Sequence, residues 1–132
     1  MNKIPACVTE ILRHNGCVLL QMQCSFGVLH SLVLEPCEFE SADKVVATFK
    51  ENEIILSQHN LISSLNTFEA KVAKIQTSGF FTRLKLMPTI QNTQDSTPVY
   101  ALFPSLLPIG LSQNQTCLWH IPSSHILLER QM

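Results

Sequence analysis

Apolar and polar positions alternate with a period of two along most of the chain. Val18, Leu20 and Met22 alternate with Leu19, Gln21 and Gln23, and Val45, Ala47 and Phe49 alternate with Val46, Thr48 and Lys50. That period marks half-buried strands. The β-branched, apolar segment 8–12 predicts another strand, as do 28–34, which Pro36 stops, and the short apolar run 54–56. The second half gives the same order, with strands expected over 70–75, 80–86, 98–102, 117–121 and 125–128. His14-Asn15-Gly16, Ser25-Phe26-Gly27 and Thr77-Ser78-Gly79 have turn chemistry. Each half thus reads as about five short strands, spaced as in a small Greek-key barrel. Helix is scarce. Segment 39–43 allows one helical turn after Pro36, and 105–111 allows another, limited by Pro104, Pro108 and Gly110. The polar stretch 57–65 reads as a linker, and 89–97 as an exposed, variable hairpin loop.

The two halves are weak copies of one pattern. Asn2, Ala6, Val8 and Ile11 return at a constant offset as Asn66, Ala70, Val72 and Ile75. Gly16 and Gly79 follow one residue out of step, after which Leu20 and Met22 answer to Leu84 and Leu86. Segment 49–56 lies over 121–128, each ending in an apolar triplet. A repeat of this length implies one β-unit used twice, with any site between the units. The expected modules are residues 1–58 and 64–132. Each is near the lower size limit for independent stability, so the two should pack closely, and exposed edges invite exchange of strands between modules or between subunits.

Composition narrows the function. The chain has 132 residues, 45% of them hydrophobic, and a formal net charge of -1. That charge gives no broad reason to bind nucleic acid. No apolar run approaches the roughly 20 residues of a membrane helix, and 1–5 lacks a signal-peptide core, so a cytoplasmic location is expected. The five cysteines are odd in number and form no CxxC pair, which fits reduced thiols acting as small hydrophobes. No GxxxxGK[ST], GxSxG, GxGxxG or HExxH occurs, and no helix-turn-helix precedes the first copy. Neither an enzyme, nor a transporter ATPase, nor a complete repressor is expected. Cys117, His120 and His125 are close in sequence. Strand alternation puts Cys117 with Trp119 and Ile121 on one face and His120 on the other, so no metal site is expected. Arg83 and Lys85 alternate with Leu84 and Leu86 as the wet face of a strand, while Phe80-Phe81 reads as core or subunit contact.

The opening N-x-x-x-A-x-V-x-x-I, the turn glycine and the closing Φ-K-x-x-x-Φ-Φ-Φ (Φ apolar) resemble the TOBE domain, also called the Mop or molbindin module. Two such modules spanning residues 2–128 resemble a di-Mop molbindin. The resemblance implies an all-β fold of two tandem OB-like barrels. It implies molybdate or tungstate as ligand, held at module interfaces, with no organic cofactor. It also implies a homo-oligomer, a trimer ahead of a dimer, with the apolar strands 18–22 and 80–86 as contact surfaces.

A tetrahedral dianion needs several donors in a dry cleft, usually with one cation. In the resembling family a Ser-Ala-Arg-Asn segment meets a Lys-Ala-Ser/Thr segment of another module. Here Ser63 falls on the family serine and Asn66 on the asparagine, with Leu65 in place of the arginine. Lys50 matches the lysine, followed by Glu51-Asn52. In the second copy Pro122 replaces the lysine and Ser123-Ser124 follow. The resemblance therefore points to Lys50, Ser63, Asn66, Ser123 and Ser124 as anion-binding residues. On residue chemistry alone Lys50 is a solvated strand-end lysine, and the serine pairs are linker and turn chemistry. Glu51 would repel a dianion unless it points away. Two functions follow. One is a cytoplasmic oxyanion-binding protein for storage or homeostasis of molybdate or tungstate. The other is a regulatory or interaction module that has lost the anion and docks on a molybdate transporter ATPase or another partner.

Overall fold

The computed structural model describes residues 1–58, 65–89, 97–105 and 110–131. It is all-β, with two OB-like units built from two five-stranded antiparallel sheets. The first half supplies β1 (Asn2–His14), β2 (Cys17–Cys24), β3 (Gly27–Leu34), β4 (Lys44–Phe49) and β5 (Ile55–Ser57). The second supplies β6 (Thr67–Ser78), β7 (Phe81–Pro88), β8 (Val99–Pro104), β9 (Thr116–His120) and β10 (Leu127–Arg130). The sheets do not follow the halves. Their strand orders are β10-β4-β1-β2-β3 and β5-β9-β6-β7-β8, so each half gives its last strand to the other's sheet. A 3₁₀ turn, Glu51–Glu53 before β5 and Ser123–His125 before β10, carries the chain across each time.

Repeat positions become equivalent structural positions. Both long hairpins bulge, because the register passes from Val8↔Met22 to Glu10↔Gln21 and from Val72↔Leu86 to Lys74↔Lys85. Thr9 and Ala73 are the skipped residues, and such a bulge bends a strand so that it can curl into a barrel. The out-of-step glycines also have a physical reason. Asn15 and Gly16 both have positive φ, 49° and 79°, as a type I′ turn requires. In the other hairpin Gly79 alone is positive, at 59°, as in a type II′ turn with glycine first. Both loops have two residues, so the glycine moves while the register is kept.

Segment 39–43 is not a helical turn. It is a tight loop in which Asp43 Oδ2 accepts the Glu40 N–H at 2.8 Å and Ala42 N–H donates to Val8 C=O at 2.8 Å. The second copy builds the same loop, with Gln115 Oε1 accepting the Ser112 N–H at 2.9 Å and Asn114 N–H donating to Val72 C=O at 2.7 Å. Short polar side chains that satisfy nearby N–H groups compete with helix at these positions. Within 105–111, residues 106–109 lie outside the described residues, as do most of the linker and hairpin-loop segments. Phe80 and Phe81 are exposed, not core. The apolar residues of 18–22 and 80–86 that alternate inward, Val18, Leu20, Met22, Leu84 and Leu86, are fully buried within the chain, so they offer no contact surface.

One core spans both sheets. At its centre Trp119 stacks on Phe49 at 5.9 Å between ring centroids and meets Phe26 edge-on at 5.1 Å, with Phe68 at 4.9 Å. Phe49 of β4 and Phe26 of the β2–β3 turn meet Phe68 and Trp119 of the second sheet, and such aromatic pairs add about 0.5–1.5 kcal/mol beyond burial. The repeated asparagines join the sheets by hydrogen bonds. Asn66 Oδ1 accepts the His30 N–H at 2.7 Å and its Nδ2 donates to the His30 C=O at 2.8 Å. Asn2 does the same for Tyr100, at 2.8 Å both ways. Each amide imitates one more strand residue on the edge of the opposite sheet, and both are buried.

Two stability predictions follow from this geometry. Asn66→Ala leaves the partly buried N–H and C=O of His30 without their present partner and should cost about 1–3 kcal/mol in urea unfolding. Ala42 sits at φ 74°, where its counterpart Asn114 has φ 72°. The left-handed region costs alanine roughly 1–2 kcal/mol, so Ala42→Gly should raise the unfolding midpoint, and Ala42→Val should lower it.

Candidate functional site

The exchange of strands brings the two 3₁₀ turns together. Lys50 caps the first turn and Pro122 occupies the same place before the second. Between them opens a cleft of about 280 Å³ whose lining includes Thr48, Lys50, Glu53, Ser124, His125 and Met1. Lys50 is exposed and extends from the end of β4, whose Phe49 is anchored in the core. Across the cleft His125 Nδ1 lies 2.9 Å from Glu53 Oε2, tying one turn to the other. Thr48 is only 6% exposed, and its hydroxyl has no hydrogen-bond partner among the described residues. A buried hydroxyl of this kind calls for a partner such as an ordered water, as do Ser25 Oγ, His30 Nδ1 and Trp119 Nε1 away from the cleft.

The structure gathers some of the expected site residues and disperses others. Lys50 and Ser124, from opposite copies, line the same cleft. Ser123 opens the second 3₁₀ turn beside it but is not part of the lining. Asn66 is committed to the His30 backbone. Ser63 lies outside the described residues. Leu65, in the family arginine position, is exposed. Thr48, His125 and the amino terminus were not legible as site residues. Thr48 stands on the polar phase of its strand, and it is buried because β10 pairs alongside, with Leu127 as its partner. That pairing leaves no mark on the local sequence.

Lys50 and the amino terminus set positive charge against the Glu53 carboxylate, held by His125, in this cleft. Glu51, next to Lys50, points away from it. Arg83 Nε donates to Glu51 Oε1 at 2.8 Å and Nη2 to Oε2 at 3.1 Å, and the amino terminus lies 3.4 Å from Oε2. The Arg83 guanidinium holds Glu51 below the ordinary carboxylate range against the opposing effect of burial, with the amino terminus adding to it. Glu51 raises the Arg83 pKa in turn. The carboxylate nearest Lys50 in sequence is thus neutralised by the second copy. Pro122, the counterpart of Lys50 before the second turn, adds no charge. Among the described residues no three His, Cys, Asp or Glu side chains converge as metal ligands. Cys117 is buried, and His120 and His125 are bound elsewhere. No helix among these residues is long and apolar enough to cross a membrane.

No family model and no curated protein matches the chain in sequence. Among solved structures it is similar to the cytoplasmic molybdate-binding protein ModG in a crystal form with molybdate bound. The TM-score is 0.82 at 16% sequence identity, over 98% of this chain and 96% of that one. At that identity the likeness establishes the shared two-unit fold across the whole chain.

The Glu51–Arg83 pair predicts an acid-sensitive stability. The native pKa of Glu51 is depressed, so its contribution is complete above the ordinary glutamate pKa and disappears as pH falls through the lower native value. Thermal melts between neutral and acid pH should show a steeper loss of stability on the acid side in wild type than in Glu51→Gln. Parallel curves for the two proteins would contradict this.

Proposed function

We propose that the chain is a tandem Mop-type protein of the TOBE class that binds a tetrahedral oxyanion, molybdate or tungstate, in the cytoplasm for storage or homeostasis. The observation that carries this reading is the cleft where Lys50 and Ser124 meet from opposite copies beside the unpartnered Thr48 hydroxyl. Lys50 supplies the charge. Thr48 and Ser124 supply hydroxyl donors, with Ser123 and Ser63 as further donors near the module ends. Asn66 acts indirectly, by fixing the edge of the opposite sheet. The full-length likeness to a molybdate-bound protein supports the ligand class. Residues 1–58 and 64–132 serve as the two modules, each incomplete without the other's last strand.

We read the working form as a homo-oligomer, with a trimer ahead of a dimer. Met1 and Leu127 at the cleft rim are 64% and 66% exposed, and a second copy over them would exclude water from the anion. Drying the cleft would strengthen each charged hydrogen bond. Selectivity over sulfate would come from size, since both anions are tetrahedral and molybdate is larger. A second reading, a docking module for a molybdate transporter ATPase or another partner, is favoured by Leu65 and Pro122, which remove two of the family's donors.

Isothermal titration with molybdate, tungstate and sulfate tests the first reading. Lys50→Ala removes a charged donor worth about 1.5–3 kcal/mol and should weaken molybdate binding roughly ten- to hundredfold. Lys44→Ala should have little effect, because Lys44 lines a different hollow with Cys7 and Gln131. Equal affinities for wild type and Lys50→Ala would sink the site. Failure of the wild type to bind any of the three anions would favour the docking module.

A further inference from the structure

The outer face of the second sheet carries a separate, strongly basic hollow. It measures about 260 Å³ and is lined by Lys74, Gln76, Arg83, Lys85 and Tyr100. Lys74 and Lys85 are register partners across β6 and β7, and Lys85 is opposite Tyr100 across β7 and β8. Like charges placed directly opposite destabilise a ladder. Among the described residues neither lysine has an ion-pair partner. The third cation is fixed in place. Arg83 is held by both oxygens of Glu51, and its guanidinium lies 3.9 Å from the centre of the Tyr100 ring. Among the described residues, Glu51 is the one carboxylate paired with any of these three cations.

The fold does not require this charge. The same places on the first sheet, by register, hold Glu10, Leu12, Leu19, Gln21 and His30. That sheet forms the same bulged hairpin and third strand without a single lysine or arginine among them. The basic set therefore belongs to one sheet alone, and a bound anion is the partner that would offset the repulsion between its lysines. Arg83 and Lys85 are two residues apart on one strand face, about 7 Å. That spacing suits two linked tetrahedral groups better than one.

We propose that this hollow binds a diphosphate group, either as inorganic pyrophosphate or carried by a nucleoside. Lys74 and Lys85 converge on one phosphoryl group, and the free edge of the Arg83 guanidinium meets the other. The site is independent of the oxyanion cleft at Lys50 and stands whether or not that reading holds.

The test is isothermal titration of the full chain with inorganic pyrophosphate at low salt, with orthophosphate, adenosine diphosphate and a single-stranded oligonucleotide as comparators. Expected is saturable pyrophosphate binding, at least about tenfold tighter than orthophosphate. Lys74→Ala and Lys85→Ala should each weaken it roughly tenfold or more, while Lys44→Ala, in a different hollow, leaves it unchanged. Both lysines lie on the solvent face, so circular dichroism of the variants should match wild type. Adenosine diphosphate binding as tightly as pyrophosphate would identify a nucleoside-borne group, and weaker binding the free anion. Absence of saturable binding, equal affinity for orthophosphate, or no effect of either lysine variant would overturn the proposal. So would tighter binding of the oligonucleotide with the same lysine dependence, which would make the face a nucleic-acid surface.

Discussion

The exchange of β5 and β10 is the constraint on which the rest of the molecule depends. Three residues of the first half pair with β9, Ile55↔His120 to Ser57↔Leu118, and four of the second pair with β4, Leu127↔Thr48 to Arg130↔Val45. These ladders cover an edge of each sheet that would otherwise present unpaired backbone groups. They also set the position of the 3₁₀ turns, because each turn is the bridge that its strand must cross. The asparagine clamps on His30 and Tyr100 and the four-ring cluster around Trp119 then lock the sheets face to face. The cleft at Lys50 is a product of the crossing, since its walls come from both bridges.

The repeat made much of this architecture legible. Val18, Leu20 and Met22, with Leu84 and Leu86, were readable as one face of alternating strands, and all are buried. Strand order along the chain was readable as well, because period-two alternation depends only on which face of a sheet is dry. Less readable was where strands begin. β1 starts at Asn2 and β6 at Thr67, since their first residues pair with β4 and β9, far along the chain. The loop at 39–43 was misjudged because its stability comes from Val8, a distant partner.

The candidate site was legible only in part, for a related reason. Lys50 and Ser124 stand at matching ends of the repeat, so a resemblance in local pattern could find them. Thr48 could not be found that way, because its burial depends on a strand from the other half. Asn66 is the instructive case. Its recurrence with Asn2 was the clearest sign in the sequence, and the structure gives both residues a backbone-pairing task. A repeated polar residue can mark the joint between copies as readily as a ligand. Glu51, an obstacle to anion binding in the sequence, is turned aside by Arg83 from the opposite sheet.

The exchanged strand also sets a schedule for synthesis. β4 is finished at Phe49, but the strand that covers it is not made until Leu127–Arg130. At ribosomal speeds of about 5–20 residues per second, β4 waits roughly 4–16 seconds with its edge open. During that interval the first sheet is a template without its mate, and any neighbouring nascent chain carries the same missing strand. Crowded translation of one message therefore sets intramolecular closure against capture by a neighbour. The short bridge Ser123–His125, by delivering β10 to its own chain's β4 as soon as it emerges, favours closure.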